Sequence, residues 1–254
     1  LEMLSAGYGV SRSSLTYLGG GGESSDGIAY TYTQNGQEQV LKVMALAATD
    51  QDGILRFQER LKFINFLGAA GVNIVFPRSA KSGNLYTLAQ EAGHIFLAYS
   101  MDRISGSPPR VEDWNDDFFA SWGSTVGRLH HITQLYPTWQ HSLVDAESGR
   151  TILGWQEEWQ SFYNLCEDDQ VKECWASMRA RLESLPIARN CFGFIHNDPH
   201  HQNIITDGNR IVLLDFDVAN YHWFATDISI AAQSVLFTQA GGIERPLSDA
   251  GPLR

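Results

Sequence analysis

The densest run of residues able to do chemistry is His196-Asn197-Asp198-Pro199-His200-His201-Gln202-Asn203, followed after two short apolar arms by Asp215-Phe216-Asp217. The arms, 204–206 and 210–214, flank Asp207-Gly208-Asn209, a pattern that predicts a β-hairpin. With Thr206 paired to Arg210, Asn203 falls across from Leu213, and Asn203 and Asp215 emerge together at the open end of the hairpin. Asp198 precedes Asn203 by five residues and can fold over that end. An amide oxygen and carboxylates gathered at one point make a hard-oxygen site suited to Mg2+, which keeps waters and phosphate oxygens as its other ligands. A further carboxylate can orient a hydroxyl and accept its proton. This set predicts phosphoryl transfer, a reaction dominated by positioning and charge neutralisation.

The elements that must position these groups follow from the rest of the pattern. Strands are predicted at 14–18, 28–33 and 39–44, broken by the run Gly19-Gly20-Gly21-Gly22 and by an Asn35-Gly36 turn, which together read as a three-stranded antiparallel sheet. Apolar residues at Ile54, Leu55, Leu61, Ile64 and Leu67 predict a helix over 51–67, stopped by Gly68 and Gly71. Two more strands follow, at 85–90 and 95–99. Ser105-Gly106-Ser107-Pro108-Pro109 breaks regular structure, and helices are predicted beyond it at 117–135, 153–166 and 172–185. The expected division is 1–103 and 104–254. Trp155, Trp159 and Phe162 form a stripe read as helix core.

The spacing His196, Asp198, His200, Asn203 followed by Asp215-Phe216-Asp217 resembles the protein-kinase-like phosphotransferases, and more narrowly the aminoglycoside phosphotransferase, choline kinase and type-II homoserine kinase branch. The resemblance implies an α+β, two-lobed fold: a small antiparallel-sheet N-terminal lobe that binds nucleotide, and a mainly helical C-terminal lobe with the catalytic hairpin. It implies Asp198 as base, Asn203 and Asp215 as Mg2+ ligands, and transfer of the γ-phosphate of ATP, or GTP, to a hydroxyl of a small molecule. Lys42, one of four lysines and a lone cation in Val40-Leu41-Lys42-Val43-Met44, needs an anionic partner. By resemblance it holds the nucleotide phosphates and pairs with a helix glutamate. Glu59, the only acidic residue between Gly53 and Gln90, is nominated for that pair. Gly20, Gly21 and Gly22 stand where the phosphate-covering loop belongs, and Tyr99 and Met101 where the strand and hinge hold adenine. His196, His200 and Asp217 are candidates for loop support or the substrate mouth. Trp223-Phe224-Ala225-Thr226-Asp227 is similar to the family's segment whose Asp braces the catalytic loop, and Gly127-Arg128-Leu129-His130 to its helix ending in Leu-His.

Composition narrows the partners. The 254 residues carry 18 Lys+Arg against 29 Asp+Glu, a net charge of −11 concentrated beyond residue 100. That argues against nucleic acid and anionic membranes and suits a cationic acceptor. With 43% hydrophobic residues the chain expects a substantial core, and no apolar run approaches a bilayer span. Cys166, Cys174 and Cys191 fit no disulfide framework and read as free thiols, the first two buried, in a cytoplasmic protein. Two rival readings are a metal-dependent hydrolase built on His196, Asp198, His200, His201 and Asp215, and a non-catalytic nucleotide-binding pseudokinase. The first leaves Lys42 and Glu59 without a role. The second is disfavoured because every nominal catalytic position is filled.

Overall fold

The computed structural model describes residues 1–21, 27–137, 141–208 and 210–239. In chain order the first elements are α1 (Glu2–Ala6), β1 (Thr16–Gly20), β2 (Ile28–Gln34), β3 (Gln37–Ala47), α2 (Gln51–Ala69), β4 (Pro77–Arg78), β5 (Thr87–Glu91) and β6 (His94–Asp102). There follow α3 (Asp116–Thr133), β7 (Leu143–Val144), β8 (Thr151–Leu153), α4 (Trp155–Leu165), α5 (Asp169–Glu183) and β9 (Phe192–Ile195). The hairpin strands β10 (Ile204–Asp207) and β11 (Arg210–Leu213), then β12 (Asn220–Trp223) and α6 (Phe224–Gln239), complete the set. The fold is α+β. Two compact units account for it: Leu1–Val111 with Ile204–Asp217, and Glu112–Asn203 with Val218–Arg254. The hairpin thus groups with the N-terminal residues, whereas the division at 103/104 expected from the sequence left it with the C-terminal part. No helix among the described residues is long and apolar enough to cross a membrane.

In the first unit six strands form one antiparallel sheet in the order β1-β2-β3-β6-β4, with β5 pairing β6. The Asn35-Gly36 turn joins β2 to β3 with both residues at positive φ, 53° and 77°, as a tight two-residue hairpin requires. Strand β1 runs on through Gly19 and Gly20, two residues past the predicted break, because Gly19 and Gly20 still pair with Ala29 and Ile28. Asp50 caps α2 by accepting the Gly53 N–H at 2.8 Å. The helix buries Phe57, Leu61, Ile64 and Leu67 at helical spacing, and Gly71 at φ 74° follows its end.

The hairpin is tied into the same unit. Leu213 exchanges hydrogen bonds with Asn73 and Val75, and Ser107 with Thr206. Gly106, at φ 113°, is obligatory there: a Cβ would stand 2.1 Å from the Thr206 carbonyl oxygen. The hairpin register differs by one from the expectation. Asp207 pairs with Arg210 and Thr206 with Ile211, so Ile204 faces Leu213. A two-residue connection opening with Gly208 at φ 60° replaces the three-residue one. Asn209 lies outside the described residues.

In the second unit β9 and β12 pair antiparallel, and every residue of both is buried. These two short strands, and α6, had no counterpart in the sequence reading. Asn115 and Asp168 cap α3 and α5 through their side chains. The predicted core stripe on α4 holds only at one end: Trp155 is buried, while Phe162 is 52% exposed. Cys166 is half-buried and Cys174 exposed, so the expectation of buried thiols fails for both.

Candidate active site

The loop between β9 and β10 carries His196 to Asn203 and is held from below by Asp227 near the start of α6. Asp227 is fully buried and accepts the N–H groups of Asn197 at 2.7 Å and His196 at 3.3 Å. Its Oδ2 also meets His130 Nε2 at 2.8 Å, and the His130 ring stacks on Phe224. A buried carboxylate with three N–H partners is a fixed anchor, because removing any partner strands a charge. Asn197 takes φ 67°, a left-handed conformation that few side chains other than Asn tolerate, and is fastened there. Its Nδ2 donates to Glu158 on α4 at 2.8 and 2.9 Å, and Asn220 donates to Glu158 at 2.6 Å.

On this frame stands Asp198, its side chain 37% exposed. Asn203 Nδ2 donates to the Asp198 carbonyl at 3.0 Å and to its carboxylate at 3.1 Å. The Asn203 Oδ1 is thereby left to accept or to ligate. His200 Nε2 lies 3.4 Å from the same carboxylate. His196 is fully buried, and its Nδ1 accepts the Asp198 N–H at 3.2 Å, so it supports the loop from inside. His201 packs edge-on to Trp114, and its Nδ1 is buried without a hydrogen-bond partner; burial, then His200, lowers its pKa.

The first unit supplies a second cluster. Lys42 Nζ donates to Asp215 Oδ1 at 3.1 Å and to Asp217, with Asp215 48% exposed and Asp217 only 11%. Tyr99 lies opposite Lys42 in the sheet and is buried. Burial alone would lower the Lys42 pKa, but Tyr99, Asp217 and Asp215 around the ammonium raise it and keep the charge. Burial likewise raises Tyr99, with Asp217 adding to the rise. Asp215 takes φ 58°, a second left-handed non-glycine residue among these candidates.

The carboxylates seen on Lys42 are Asp215 and Asp217, while Glu59, nominated as its partner, is buried on α2 and lies 3.8 Å from Lys62. Gly20 and Gly21 have φ 90° and 80°, but the Gly21 N–H is spent on the Gly27 carbonyl, so it is not free to cradle phosphate. Gly22 lies outside the described residues. Tyr99 and Met101 both lie inside β6, which continues to Asp102, with Met101 flanked by Val40 and Pro77. No group of three or more His, Cys, Asp or Glu side chains able to hold a metal occurs among the described residues, which gives the hydrolase reading no support.

Sequence reasoning missed Glu158 and Asn197. Asn197 stood inside the His-x-Asp run, where an Asn is one of the few side chains that tolerate left-handed backbone, and that was the available signal. It also missed a cavity of about 790 Å³ along α3 and α6, lined by Trp114, Trp122, Val126, His130, Ala232 and Val235. The indole N–H groups of Trp114 and Trp122 are buried there without hydrogen-bond partners.

Comparison with known proteins identifies the family. Residues 18–249 match the model of the phosphotransferase enzyme family. The chain is 25% identical over 241 residues to the amicoumacin kinase of Bacillus subtilis (strain 168), covering 93% of this chain and 68% of that protein. A solved structure of the amicoumacin kinase hAmiN in complex with AMP-PNP, Ca2+ and Ami superposes with a TM-score of 0.74 at 25% identity, over 92% of this chain and 66% of that one. The microcompartment-associated aminopropanol kinase shares the fold, with a TM-score of 0.64 at 17% identity over 93% of this chain and 74% of that one. The chain spans about two thirds of the length of the amicoumacin kinases it matches. With the family model covering nearly the whole chain and the fold shared with these kinases, the chain belongs to the phosphotransferase enzyme family, of the protein-kinase-like superfamily.

Proposed function

We propose that this chain is a small-molecule kinase that moves the γ-phosphate of ATP to a hydroxyl group, with Asp198 as the base. The observation that carries the reading is Asp198 itself: a part-exposed carboxylate on a backbone locked by Asp227 and oriented by Asn203. A carboxylate so held can fix an acceptor hydroxyl for in-line attack and take its proton as the new P–O bond forms and ADP leaves.

The donor chemistry fits Mg2+. Asn203 Oδ1 and the half-exposed Asp215 carboxylate are hard oxygen ligands, and we assign the ion to them. When bound, it neutralises charge on the phosphate oxygens. Lys42, kept charged by its carboxylate neighbours, binds the nucleotide phosphates, and the end of β6 at Met101 is assigned to adenine. The acceptor we assign is a hydroxyl-bearing amine. The net charge of −11 favours a cation, and the relatives named for amicoumacin and aminopropanol support the same class.

Thermal denaturation tests the nucleotide half of this reading. Saturating Mg2+-ATP, at about 100 times Kd, contributes about 2.7 kcal/mol to the folded state and raises Tm by several degrees. The shift is expected to vanish in Asp215→Ala. A wild-type protein indifferent to both Mg2+-ATP and Mg2+-GTP would overturn the assignment.

A further inference from the structure

In the second unit Glu158 is a carboxylate that neutral amides hold. It stands in the first turn of α4, where the unpaired N–H groups of a helix start favour a negative charge. The Asn197 amide donates to both of its oxygens, at 2.9 and 2.8 Å, and the Asn220 amide donates to one of them at 2.6 Å. Each donor has a further acceptor. Asn197 Nδ2 also reaches the Val218 carbonyl at 3.2 Å, and Asn220 Nδ2 the Gly154 carbonyl at 3.3 Å, the oxygen that accepts the Glu158 N–H as well. Glu158 thus joins the start of α4, the first residue of β12 and the residue ahead of Asp198. Asn197 and Asn220 are both buried, so an amide stripped of its acceptor there keeps its desolvation cost and loses the bond that offsets it.

From this arrangement we infer that Glu158 is the positioning residue of the assigned base, fixing Asn197 in the left-handed conformation that aims Asp198. The inference rests on the kinase reading for what Asp198 does. Asp227 grips the backbone on the near side of Asn197, through the N–H groups of His196 and Asn197. The direction in which the chain leaves towards Asp198 is set by the backbone angles at Asn197 itself, and the Asn197 side chain is the handle on them. Glu158 holds that handle with both oxygens. It acts through Asn197 and does not touch the reacting atoms. A glutamine there would set an NH2 group against amide donors, so the carboxylate is needed as an acceptor on both sides.

The test is amide hydrogen exchange followed by NMR, together with steady-state kinetics, on the wild type, Glu158→Gln, Asn197→Gly and the double variant. Glu158→Gln keeps the length of the side chain and leaves one oxygen to accept. Exchange at Asn197 and Asp198 is expected to rise about ten-fold or more, while the amides of α3 keep their wild-type rates; a general loss of stability would raise both. With Mg2+-ATP and a panel of aminoglycosides and amino alcohols, kcat is expected to fall about ten-fold with the KM for ATP within about two-fold of wild type, the split expected of a displaced base. In the Asn197→Gly background no side chain is left for Glu158 to hold, and adding Glu158→Gln should change kcat by less than about two-fold. Should Glu158→Gln fail to fold, Glu158→Asp carries the test, because it keeps the charge and draws it back towards α4. The same local rise in exchange would support the inference, and unchanged exchange would overturn it. Wild-type exchange and kcat in Glu158→Gln would overturn it, as would equal rises in the loop and in α3, or the same loss of kcat in the Asn197→Gly background. A wild type that phosphorylates no acceptor would overturn the kinase reading beneath it, and the exchange rates would still decide whether Glu158 holds the loop.

Discussion

Asp227 accepts the N–H of Asn197 at 2.7 Å, one residue ahead of Asp198, while its Oδ2 meets His130 Nε2 at 2.8 Å. One buried carboxylate therefore joins the end of α3, the start of α6 and the loop that carries the assigned base. Asp227→Ala strands two loop N–H groups and one ring nitrogen in the interior. The expected cost is about 3 kcal/mol in urea denaturation, with a fall in turnover larger than any fall in nucleotide affinity.

Asn197 offers a separation of backbone from side-chain effects. Both Asn197→Gly and Asn197→Ala remove the two hydrogen bonds to Glu158. Only the alanine must also hold φ 67°. Asn197→Ala should therefore be the less stable variant by about 1 kcal/mol, measured by denaturant unfolding, and equal stabilities would contradict the strained-loop account.

His222 predicts a pH dependence. Burial lowers its pKa from the usual 6.5 to about 4, and its Nδ1 accepts from the Trp223 N–H and faces the Thr226 hydroxyl. Between those two values the unfolded chain binds the proton that the folded chain refuses. The contribution is therefore complete above pH 6.5 and is lost as pH falls towards 4, at up to about 1.4 kcal/mol per unit. Subtracting the stability curve of His222→Asn from that of the wild type should expose this slope, and parallel curves would refute it.

Gly106 predicts intolerance at the segment that meets the hairpin. Gly106→Ala puts a methyl 2.1 Å from the Thr206 carbonyl oxygen at φ 113°. A loss of at least about 2 kcal/mol is expected, read from the denaturation midpoint. A variant as stable as the wild type would show that the Ser107–Thr206 pairing does not constrain the hairpin.

Residues with local signatures were legible in the sequence. The Asn35-Gly36 turn, the apolar spacing of α2 and the alternation through β3 each follow from short-range physics, and so did the α+β class. Asp198, Asn203 and Asp215 stood out because their side-chain types and order carry a chemical meaning that distance along the chain does not erase. The carboxylates seen on Lys42 did not. Placing Asp215 and Asp217 there needs the approach of residue 217 to residue 42, a long-range contact with no periodic signal. The strands β9 and β12 were hidden for a related reason: at four residues each and buried throughout, they show no alternation that separates strand from loop. Register in the hairpin failed by one residue because the turn length, two rather than three, is decided by backbone geometry at Gly208.

The most direct test of the central claim is transfer of labelled γ-phosphate from Mg2+-ATP to a panel of aminoglycosides and amino alcohols, run in parallel with the wild type and Asp198→Ala. The account predicts a phosphorylated acceptor with the wild type, and turnover reduced by a factor on the order of a hundred or more in Asp198→Ala with nucleotide affinity nearly intact. Equal turnover by both proteins would contradict the assignment of Asp198, and a wild type that binds Mg2+-ATP yet phosphorylates no hydroxyl in the panel would contradict the proposed acceptor class.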